Sequence, residues 1–302
     1  MAAPRLRPLT AHMIRRGLLA SGLAGHLVFA PLAKAGPDGG EVVTGEGSVS
    51  KPSATETHID QQSQNLLMRF DSFDVDADES VLITQPNATA WFVGEIDGGR
   101  PTSIFGSITA NGQIALVNPH GVIFGETASI SAAGIFASGL SLEANDIFEG
   151  GEAEFKAKSG PGGYVVNHGV IAASMGGSVN LLGETVTNSG VIVASLGHVN
   201  LSSGSRAVVS FGPEQLIGIE LTEKVLENTE GLESAISNTG RIEAPGGKIM
   251  LTSSVSKGLF DNAINNEGIV RAKSAEYQRW CDPSEGLRFQ RSQHRASRRL
   301  GG

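Results

Sequence analysis

Three aspartates in the stretch DVDADES, Asp74, Asp76 and Asp78, have the alternating spacing with which a calcium loop begins. A calcium loop of this kind also needs Gly at its sixth position and Glu at its twelfth. Glu79 and Gln85 occupy those positions here, so the pattern does not predict a calcium site. In a strand the three acids would share one face, and we expect that face to be solvated.

The histidines and serines do not predict a reactive site either. The seven histidines lack the spacing of a metal-binding pair, and His168 and His198 are expected to be surface residues of turns. No serine stands in a Gly-x-Ser-x-Gly context. The stretch GGRPTSIFG lacks the Gly-Lys-Ser/Thr ending of a phosphate-binding loop. The sequence therefore predicts no metal, no cofactor and no catalytic residue.

The composition favours a core built from aliphatic side chains. The chain has 302 residues, of which 40% are hydrophobic and only 5% aromatic, with 40 Gly and one Cys. Val, Ile, Leu and Ala fill many thin stacked layers more readily than a globule built around large rings. A single cysteine cannot form an internal disulfide.

Residues 1–35 are typical of a signal peptide. They contain no acid, and the apolar run GLLASGLAGHLVFAPL follows Arg15 and Arg16 and ends before an Ala-Lys-Ala cleavage pattern. The alternative is a disordered or membrane-surface N-terminus. The segment holds five of the 23 Lys and Arg and none of the 31 Asp and Glu, so without it the net charge falls from −8 to −13. Such a surface repels phosphate backbones, and nucleic acid is disfavoured as a partner.

Residues 274–302 have a composition unlike the rest of the chain. They hold six Arg against three acids. We expect a disordered basic tail, or the frameshifted or truncated end of a longer reading frame.

A repeat runs through the second half of the chain. Each unit begins near Asn-x-Gly, continues as an alternating run, turns at a glycine and ends in a second alternating run, as in VVNHGVIAASMGGSVNLLG. The four motifs start at Asn167, Asn188, Asn238 and Asn266. Asn and Gly tolerate the left-handed backbone of tight corners, and the alternating runs have the period of strands with one buried face. Such strands bury that face by stacking on the next repeat, which predicts a parallel β-helix over residues 165–273.

The predicted coil extends over residues 36–273. At about 20 residues a turn this gives roughly twelve turns, in a rod on the order of 55 Å long. Residues 212–235 break the spacing, and we expect an insertion or an irregular turn there, with a short helix at TEKVLEN. An open rod end exposes unpaired strand edges, so the chain needs caps or must continue.

The first half of the chain carries a longer signature. Between residues 64 and 136 it reads F-x-x-F-x-V, then QPNATA, then GGRPTSIFGSITANGQIALVNPHGVIFG. This ordered series resembles the N-terminal haemagglutination-activity domain of two-partner secretion exoproteins, the filamentous-haemagglutinin-like family, most strongly over residues 64–140. The resemblance implies an all-β fold, a right-handed parallel β-helix with an N-terminal β cap, over residues 36–273.

In function, the resemblance implies a secreted, adhesin- or haemagglutinin-like exoprotein domain. Such a domain leaves the cytoplasm through the general secretory translocon. It is then recognised in the periplasm by a dedicated outer-membrane β-barrel transporter that carries polypeptide-transport-associated domains. The product is expected in the medium or on the cell surface of a Gram-negative bacterium, with a host-cell or surface receptor as a further partner.

Two other functions fit the same fold. A β-helical enzyme acting on polysaccharides would need two carboxylates a few ångströms apart on one groove. Glu184 and Glu243 occupy similar but not equivalent repeat positions, and no basic partner recurs beside them. A surface or matrix protein would need no transporter. The sequence favours the non-enzymatic exoprotein.

The stretch VNPHGVIFG contains the candidate recognition turn. The family has Asn-Pro-Asn-Gly here; Asn118, Pro119 and Gly121 match it and His120 departs from it. Asn, Pro and Gly at the first, second and fourth positions favour a type I turn, which the Asn caps by a side-chain hydrogen bond. We expect Asn118 to matter most for recognition and His120 to alter the contact at its position.

Two further segments belong to the expected recognition surface. Asn65, Phe70 and Phe73 are expected to form part of the surface shown to the transporter. Gly94 and Glu95 stand where relatives usually have an Asn-Arg pair, and recognition is changed if that pair engages the transporter.

Overall fold

The computed structural model describes residues 36–143, 151–160, 163–211 and 217–273. The predicted signal peptide and basic tail lie outside the described residues. Within those residues the chain forms 27 β-strands and no helix. Accordingly, no helix in this part of the chain is long and apolar enough to cross a membrane.

The strands are short, and the longest has eight residues. In chain order they are β1 (Asp38–Thr44), β2 (Gly47–Ser50), β3 (Glu56–Gln61), β4 (Asn65–Ser72), β5 (Ser80–Thr84), β6 (Trp91–Ile96), β7 (Thr102–Ile104), β8 (Ser107–Ala110), β9 (Gln113–Val117), β10 (Val122–Phe124), β11 (Ser129–Ala132), β12 (Gly134–Ser138), β13 (Ser141–Leu142), β14 (Glu152–Lys156), β15 (Tyr164–Asn167), β16 (Val170–Ala173), β17 (Ser178–Gly183), β18 (Thr185–Asn188), β19 (Val191–Ala194), β20 (His198–Ser203), β21 (Arg206–Phe211), β22 (Ile217–Glu223), β23 (Ser234–Asn238), β24 (Arg241–Glu243), β25 (Lys248–Ser253), β26 (Asn262–Asn266) and β27 (Ile269–Arg271).

Most of these strands belong to three sheets that form the faces of a coil. Sheet A has the order β1-β4-β6-β9-β12-β17-β20-β25, sheet B the order β2-β3-β5-β8-β11-β16-β19-β24-β27, and sheet C the order β7-β10-β15-β18-β23-β26. The chain passes from sheet B to sheet A to sheet C in each full turn. Apart from β1 and β2, the strands of these sheets pair in parallel with strands one turn away, and the predicted right-handed parallel β-helix is confirmed.

The first two strands cap one end of the coil, as predicted. β1 pairs antiparallel with β4 at the edge of sheet A, and β2 pairs antiparallel with β3 at the edge of sheet B. They cover backbone groups that an open edge would leave unpaired. The last described strands of the three sheets are β25, β26 and β27. There Ile264, Ile269 and Val270 are between 38% and 40% exposed.

The interior of the coil is filled mainly by stacked aliphatic side chains. On sheet B, five inward side chains lie in direct register on successive strands: Val81, Ile108, Ile130, Ile171 and Ile192. All five are at most 2% exposed. Because alternate side chains of a strand point to opposite faces, this stack produces the alternation seen in the sequence.

A second core lies outside the coil, on the outer face of sheet A. Strands β13, β14, β21 and β22 form a separate antiparallel sheet, sheet D, whose apolar side chains pack on sheet A. The rings of Phe136 and Phe155 are 5.2 Å apart, and those of Trp91 and Phe211 are 5.1 Å apart. Strands β9 and β12 are consequently buried at every residue. Both faces of these strands are therefore covered.

The described coil has fewer turns than the twelve expected. Sheet A contains seven parallel strands and sheet B contains eight in the described residues. Asn188 and Asn238 occupy equivalent positions on successive strands of sheet C, yet they are 50 residues apart. The difference arises because β21 and β22 leave the coil between them, as β13 and β14 do between β12 and β15.

The short helix expected at TEKVLEN is also wrong. Strand β22 extends to Glu223, and Val225 forms an isolated bridge with Val255. Val225 is fully buried and packs with Ala235 and Phe260 in a small separate core. The extended backbone places the Val225 side chain in this small core. Tertiary packing here outweighs the helical pattern of the sequence.

The asparagines of the Asn-x-Gly motifs form a ladder along sheet C. Nδ2 of Asn167 donates to Oδ1 of Asn188 at 2.8 Å. Nδ2 of Asn188 donates to Oδ1 of Asn238 at 2.7 Å, and Nδ2 of Asn238 to Oδ1 of Asn266 at 2.6 Å. None of the four has a positive φ, so the left-handed backbone expected at these asparagines is wrong. Their amides instead link consecutive turns by side-chain hydrogen bonds.

One corner between sheets B and A holds a leucine in a backbone conformation that favours glycine. Leu196 has φ of 57°, and Gly246 holds the equivalent position one turn later with φ of 73°. The Leu196 amide donates to the carbonyl of Pro245 at 2.8 Å, which fixes the two corners against each other. The leucine side chain is 49% exposed, so little packing offsets the backbone strain.

Leu196→Gly is therefore expected to stabilise the domain by about 0.5 kcal/mol. Relief of the left-handed strain contributes about 1–2 kcal/mol, and the greater freedom of glycine in the unfolded chain removes about 0.5–1 kcal/mol of that gain. Urea unfolding of the purified chain measures the change. Leu196→Ala keeps the strain and should show no gain; a larger gain for Ala than for Gly would contradict the explanation.

Candidate recognition site

The recognition turn forms the corner between β9 on sheet A and β10 on sheet C. The Gly121 amide donates to the Asn118 carbonyl at 2.9 Å, which closes the turn. The His120 amide donates to Oδ1 of Asn118, also at 2.9 Å. These bonds agree with the turn and the asparagine cap that the sequence predicts.

The Asn118 side chain also ties the turn to the preceding turn of the coil. Its Nδ2 donates to the Arg100 carbonyl and to Oγ1 of Thr102, each at 2.9 Å. The residue is 0% exposed. In the folded domain Asn118 therefore positions the turn, and its side chain is not available for direct contact with a partner.

The following turn of the coil holds the other side of the corner. The Gly163 amide donates to the Pro119 carbonyl at 3.0 Å. Gly121 has φ of 117°, and a Cβ built there would lie 2.4 Å from Cε2 of Tyr164. Burial, and secondarily the charge of Glu230, raises the pKa of the Tyr164 hydroxyl. Neighbouring turns thus fix the backbone of this corner on both sides.

Few side chains at this corner reach solvent. Pro119 is buried and His120 is half-buried. The Arg100 side chain is 60% exposed and forms an ion pair with Asp74. The described side chains that a partner can touch at this corner therefore include His120, Arg100 and the partly exposed Asp74.

The sequence predicts that Asp74 lies on a solvated strand face with Asp76 and Asp78, and the structure shows that this is wrong for Asp74. Its Oδ1 accepts a hydrogen bond from the Ser103 amide at 2.8 Å, so it links two turns of the coil. Asp76 and Asp78 are exposed in the corner before β5, where the Asp76 amide donates to Oε2 of Glu79 at 2.7 Å. In the described part of the chain, no group of three or more His, Cys, Asp or Glu is arranged to hold a metal ion.

Two of the three residues expected near the transporter are in the core, which corrects that expectation. Phe70 is 1% and Phe73 is 0% exposed, and their rings meet edge to face at 5.0 Å. Phe70 lies on the inward side of β4, and Phe73 turns into the coil just after that strand. Only Asn65, at the start of β4, is partly accessible.

The departure at Gly94 and Glu95 is accommodated within sheet A. Glu95 lies in register with Arg69 on the adjacent strand, and its Oε2 is 3.0 Å from Nη2 of that arginine. A Cβ at Gly94 would be 3.4 Å from Leu116, which is ordinary contact. Glu95 thus forms a partly exposed ion pair with Arg69, which contributes little to stability.

The remaining sequence candidates are dispersed over the coil. Nδ1 of His168 lies 2.6 Å from Oγ of Ser189 at an exposed corner. His198 is the first residue of β20, so its predicted place in a turn is wrong. Glu184 follows β17 at the corner between sheets A and C, whereas Glu243 lies on sheet B. The two glutamates are therefore not brought together.

Comparisons with known proteins agree with this fold. A family model described as the TPS secretion domain matches residues 33–282. The heme/hemopexin-binding protein of Haemophilus influenzae is 34% identical over 215 residues, which are 69% of this chain and 23% of that protein. The matched part thus spans under a quarter of that relative's length.

Two solved structures resemble the domain. The HMW1 secretion domain from Haemophilus influenzae has a TM-score of 0.62 at 23% identity, over 77% of this chain and 68% of that one. The filamentous hemagglutinin secretion domain has a TM-score of 0.40 at 12% identity, over 76% of this chain and 99% of that one. The first likeness shows the fold, and the family model covers more than half of the sequence. The chain belongs to the TPS secretion domain family.

Proposed function

We propose that this β-helix is the domain by which a secreted exoprotein is recognised by a dedicated outer-membrane transporter. The observation that carries the proposal is the turn at Asn118, whose backbone is fixed by hydrogen bonds from both neighbouring turns of the coil. Membership of the TPS secretion domain family supports it. A rigid corner offers a partner a preformed surface, so binding loses little conformational freedom.

The route to that transporter follows from the predicted signal peptide. Residues 1–35 direct the chain to the general secretory translocon, and the mature chain crosses the periplasm. The outer-membrane β-barrel then engages the recognition corner through its polypeptide-transport-associated domains. The product is an adhesin-like exoprotein in the medium or on the surface of a Gram-negative cell, where a host-cell or surface receptor is its target.

In this proposal the residues of the turn have different roles. Asn118 and Pro119 are buried and set the shape of the corner. His120 is half-buried and contributes the side chain that touches the transporter at the family's second Asn position. Asn65 is partly accessible on sheet A and is a second contact. Phe70 and Phe73 act only through the core.

Export of variants tests the proposal. Asn118→Ala and Pro119→Ala, each expressed with the cognate transporter, are expected to leave the precursor in the periplasm and lower the secreted amount about ten-fold, the effect of losing roughly 1.4 kcal/mol of recognition. Fractionation and immunoblotting measure the distribution. His120→Asn restores the family residue and should be exported at least as well as the parent chain.

The matched control is Asn262→Ala. Asn262 is exposed on β26, near the other end of the described coil and outside the signature of residues 64–136. It should be exported normally. Urea unfolding of the purified variants separates loss of fold from loss of recognition. Undiminished export of both the Asn118 and the Pro119 variants would end the proposed role of the turn.

We further propose that the domain has no catalytic role. The Glu243 carboxylate is 3.6 Å from both Arg241 and Arg271, and Glu184 lies on a different face of the coil. A polysaccharide-acting enzyme would need its carboxylates on one groove. Incubation of the mature protein with acidic and plant-derived polysaccharides tests this, and turnover would favour the enzyme. Secretion that continues after deletion of the transporter would favour a partner-independent matrix protein.

A further inference from the structure

A small cavity lies two turns along the coil from the corner that carries Asn118. Its volume is about 250 Å³. Residues 157–160, which follow β14, form one wall. Glu184 of the coil corner forms another, and Ser205 with the segment after β22 completes it. The cavity therefore lies where sheet D joins the coil.

Hydrogen bonds connect this cavity to the recognition turn. The Glu184 amide donates to the Gly163 carbonyl at 2.5 Å, and the Gly163 amide donates to the Pro119 carbonyl at 3.0 Å. The Glu184 carboxylate also lies against Gly163, since a Cβ there would be 2.6 Å from its Oε2. The next residue, Tyr164, covers Gly121. A carboxylate in the cavity is thus packed on the segment that holds the turn in place.

The cavity concentrates negative charge. Burial, and secondarily the charge of Glu227, raises the pKa of the Glu184 carboxyl to about 7. The lysine in the wall, Lys158, lies 3.2 Å from Asp97 and pairs with it instead. Among the described residues Glu184 forms no ion pair, and Glu230 adds a further negative charge on the segment that carries Glu227.

That segment is anchored on both sides of Glu227. The Val225 amide donates to the Ser254 carbonyl at 2.9 Å. Nδ2 of Asn228 donates to the Leu259 carbonyl at 3.5 Å and, within a local turn, to the Leu232 carbonyl at 2.7 Å. Between these anchors Leu226 and Glu227 are exposed at the mouth of the cavity, and the Leu226 side chain is 72% exposed. Repulsion between Glu184 and Glu227 therefore acts on a short stretch with little packing of its own.

We propose that residues 226–230 form a proton-sensitive cover beside the recognition corner, closed when a proton is bound between Glu184 and Glu227 and displaced when both are ionised. Because the closed form holds the Glu184 proton more tightly than an exposed glutamate would, closure is favoured at low pH and lost as pH rises through about 7. The charge of Glu230, on the same segment, acts on the Tyr164 hydroxyl and helps to raise its pKa. The cover thus changes access to the corner; this regulatory consequence rests on the proposed function, whereas the movement does not.

Hydrogen exchange of the full chain, followed by mass spectrometry on peptides covering 224–233, tests the movement. After correction for the intrinsic exchange rate, protection is expected to be about ten-fold lower at pH 8 than at pH 6, the change that one pKa unit of differential proton binding produces. Glu184→Gln cannot ionise and should abolish the difference. Glu220→Gln, an exposed acid on β22, should keep it.

Two outcomes would overturn the proposal. A pH-dependent difference that survives in both Glu184→Gln and Glu227→Gln would exclude these carboxylates as its source. Export that depends on pH in the same way for the parent chain and for Glu184→Gln would exclude the regulatory role. Normal export of both Asn118→Ala and Pro119→Ala would instead remove the proposed function and leave the exchange result intact, so the two failures are distinguishable.

Discussion

Asn188→Ala is expected to lower the free energy of unfolding by about 3 kcal/mol, because it removes a middle rung of the asparagine ladder. Asn188 accepts a bond from Asn167 at 2.8 Å and donates one to Asn238 at 2.7 Å. All three are 0% exposed. The substitution leaves a buried N–H and a buried carbonyl oxygen without their ladder partners, at about 1–3 kcal/mol each, and opens a small cavity.

Urea unfolding followed by circular dichroism measures this loss. Asn262→Ala is the matched control, since Asn262 is exposed and lies on β26 of the same sheet. Its cost should be within about 0.5 kcal/mol. Equal unfolding midpoints for the two variants would show that the ladder does not stabilise the coil.

Gly121→Ala is expected to destabilise the domain by a similar amount, about 3 kcal/mol. The φ of 117° is a conformation that L residues with a Cβ rarely adopt, which costs about 1–3 kcal/mol. The new methyl group would also lie 2.4 Å from the Tyr164 ring, and such overpacking adds about 1–3 kcal/mol unless the half-buried ring moves. Thermal and urea unfolding of the purified variant measure the sum.

A double substitution separates the two contributions. Tyr164→Ala removes the ring, so Gly121→Ala in that background should retain the backbone cost and lose the steric one. Gly94→Ala is the control, because a Cβ there makes only ordinary contact at 3.4 Å. If Gly94→Ala costs as much as Gly121→Ala, the special backbone of the turn is not the cause.

The fold could be predicted from the sequence because each residue of a turn stacks on the residue at the equivalent position of the next turn, so the sequence repeats with the period of the coil. Asn167 and Asn188 recur after 21 residues and are hydrogen-bonded partners. Turn preferences did not predict why asparagine occupies this position. Its side-chain amide is hydrogen-bonded to the equivalent asparagine of the next turn, and its backbone is not left-handed. A side chain that is both donor and acceptor suits a ladder in which every position is the same.

Sheet D was not predictable, because its strands pair across long and non-repeating separations. β21 pairs with β14, and the Arg206 guanidinium forms an ion pair with Glu154, 52 residues earlier. The available signal was local: strands such as QIALV are apolar at positions that a one-faced strand would give to solvent. The helical pattern of TEKVLEN misled because one buried residue, Val225, decides that backbone.

The sequence predicted the backbone turn at the candidate site, but it did not predict which of its side chains are exposed. Asn, Pro and Gly fix the local backbone, and the hydrogen bonds within 118–121 follow from those residue types. Burial of the turn depends on Arg100, Thr102 and Tyr164, which come from the neighbouring turns of the coil. The F-x-x-F pattern has the same limitation, since its spacing does not reveal that both rings point inward.

The antiparallel cap makes the two ends of the described coil unequal. β1 and β2 satisfy the edges of sheets A and B at the start, whereas β25, β26 and β27 carry half-exposed apolar residues. In a solenoid each turn is stabilised only by its neighbours. Because β1 and β2 run antiparallel to the strands they cover, they offer no parallel edge for a further turn, and the coil is closed to extension on that side.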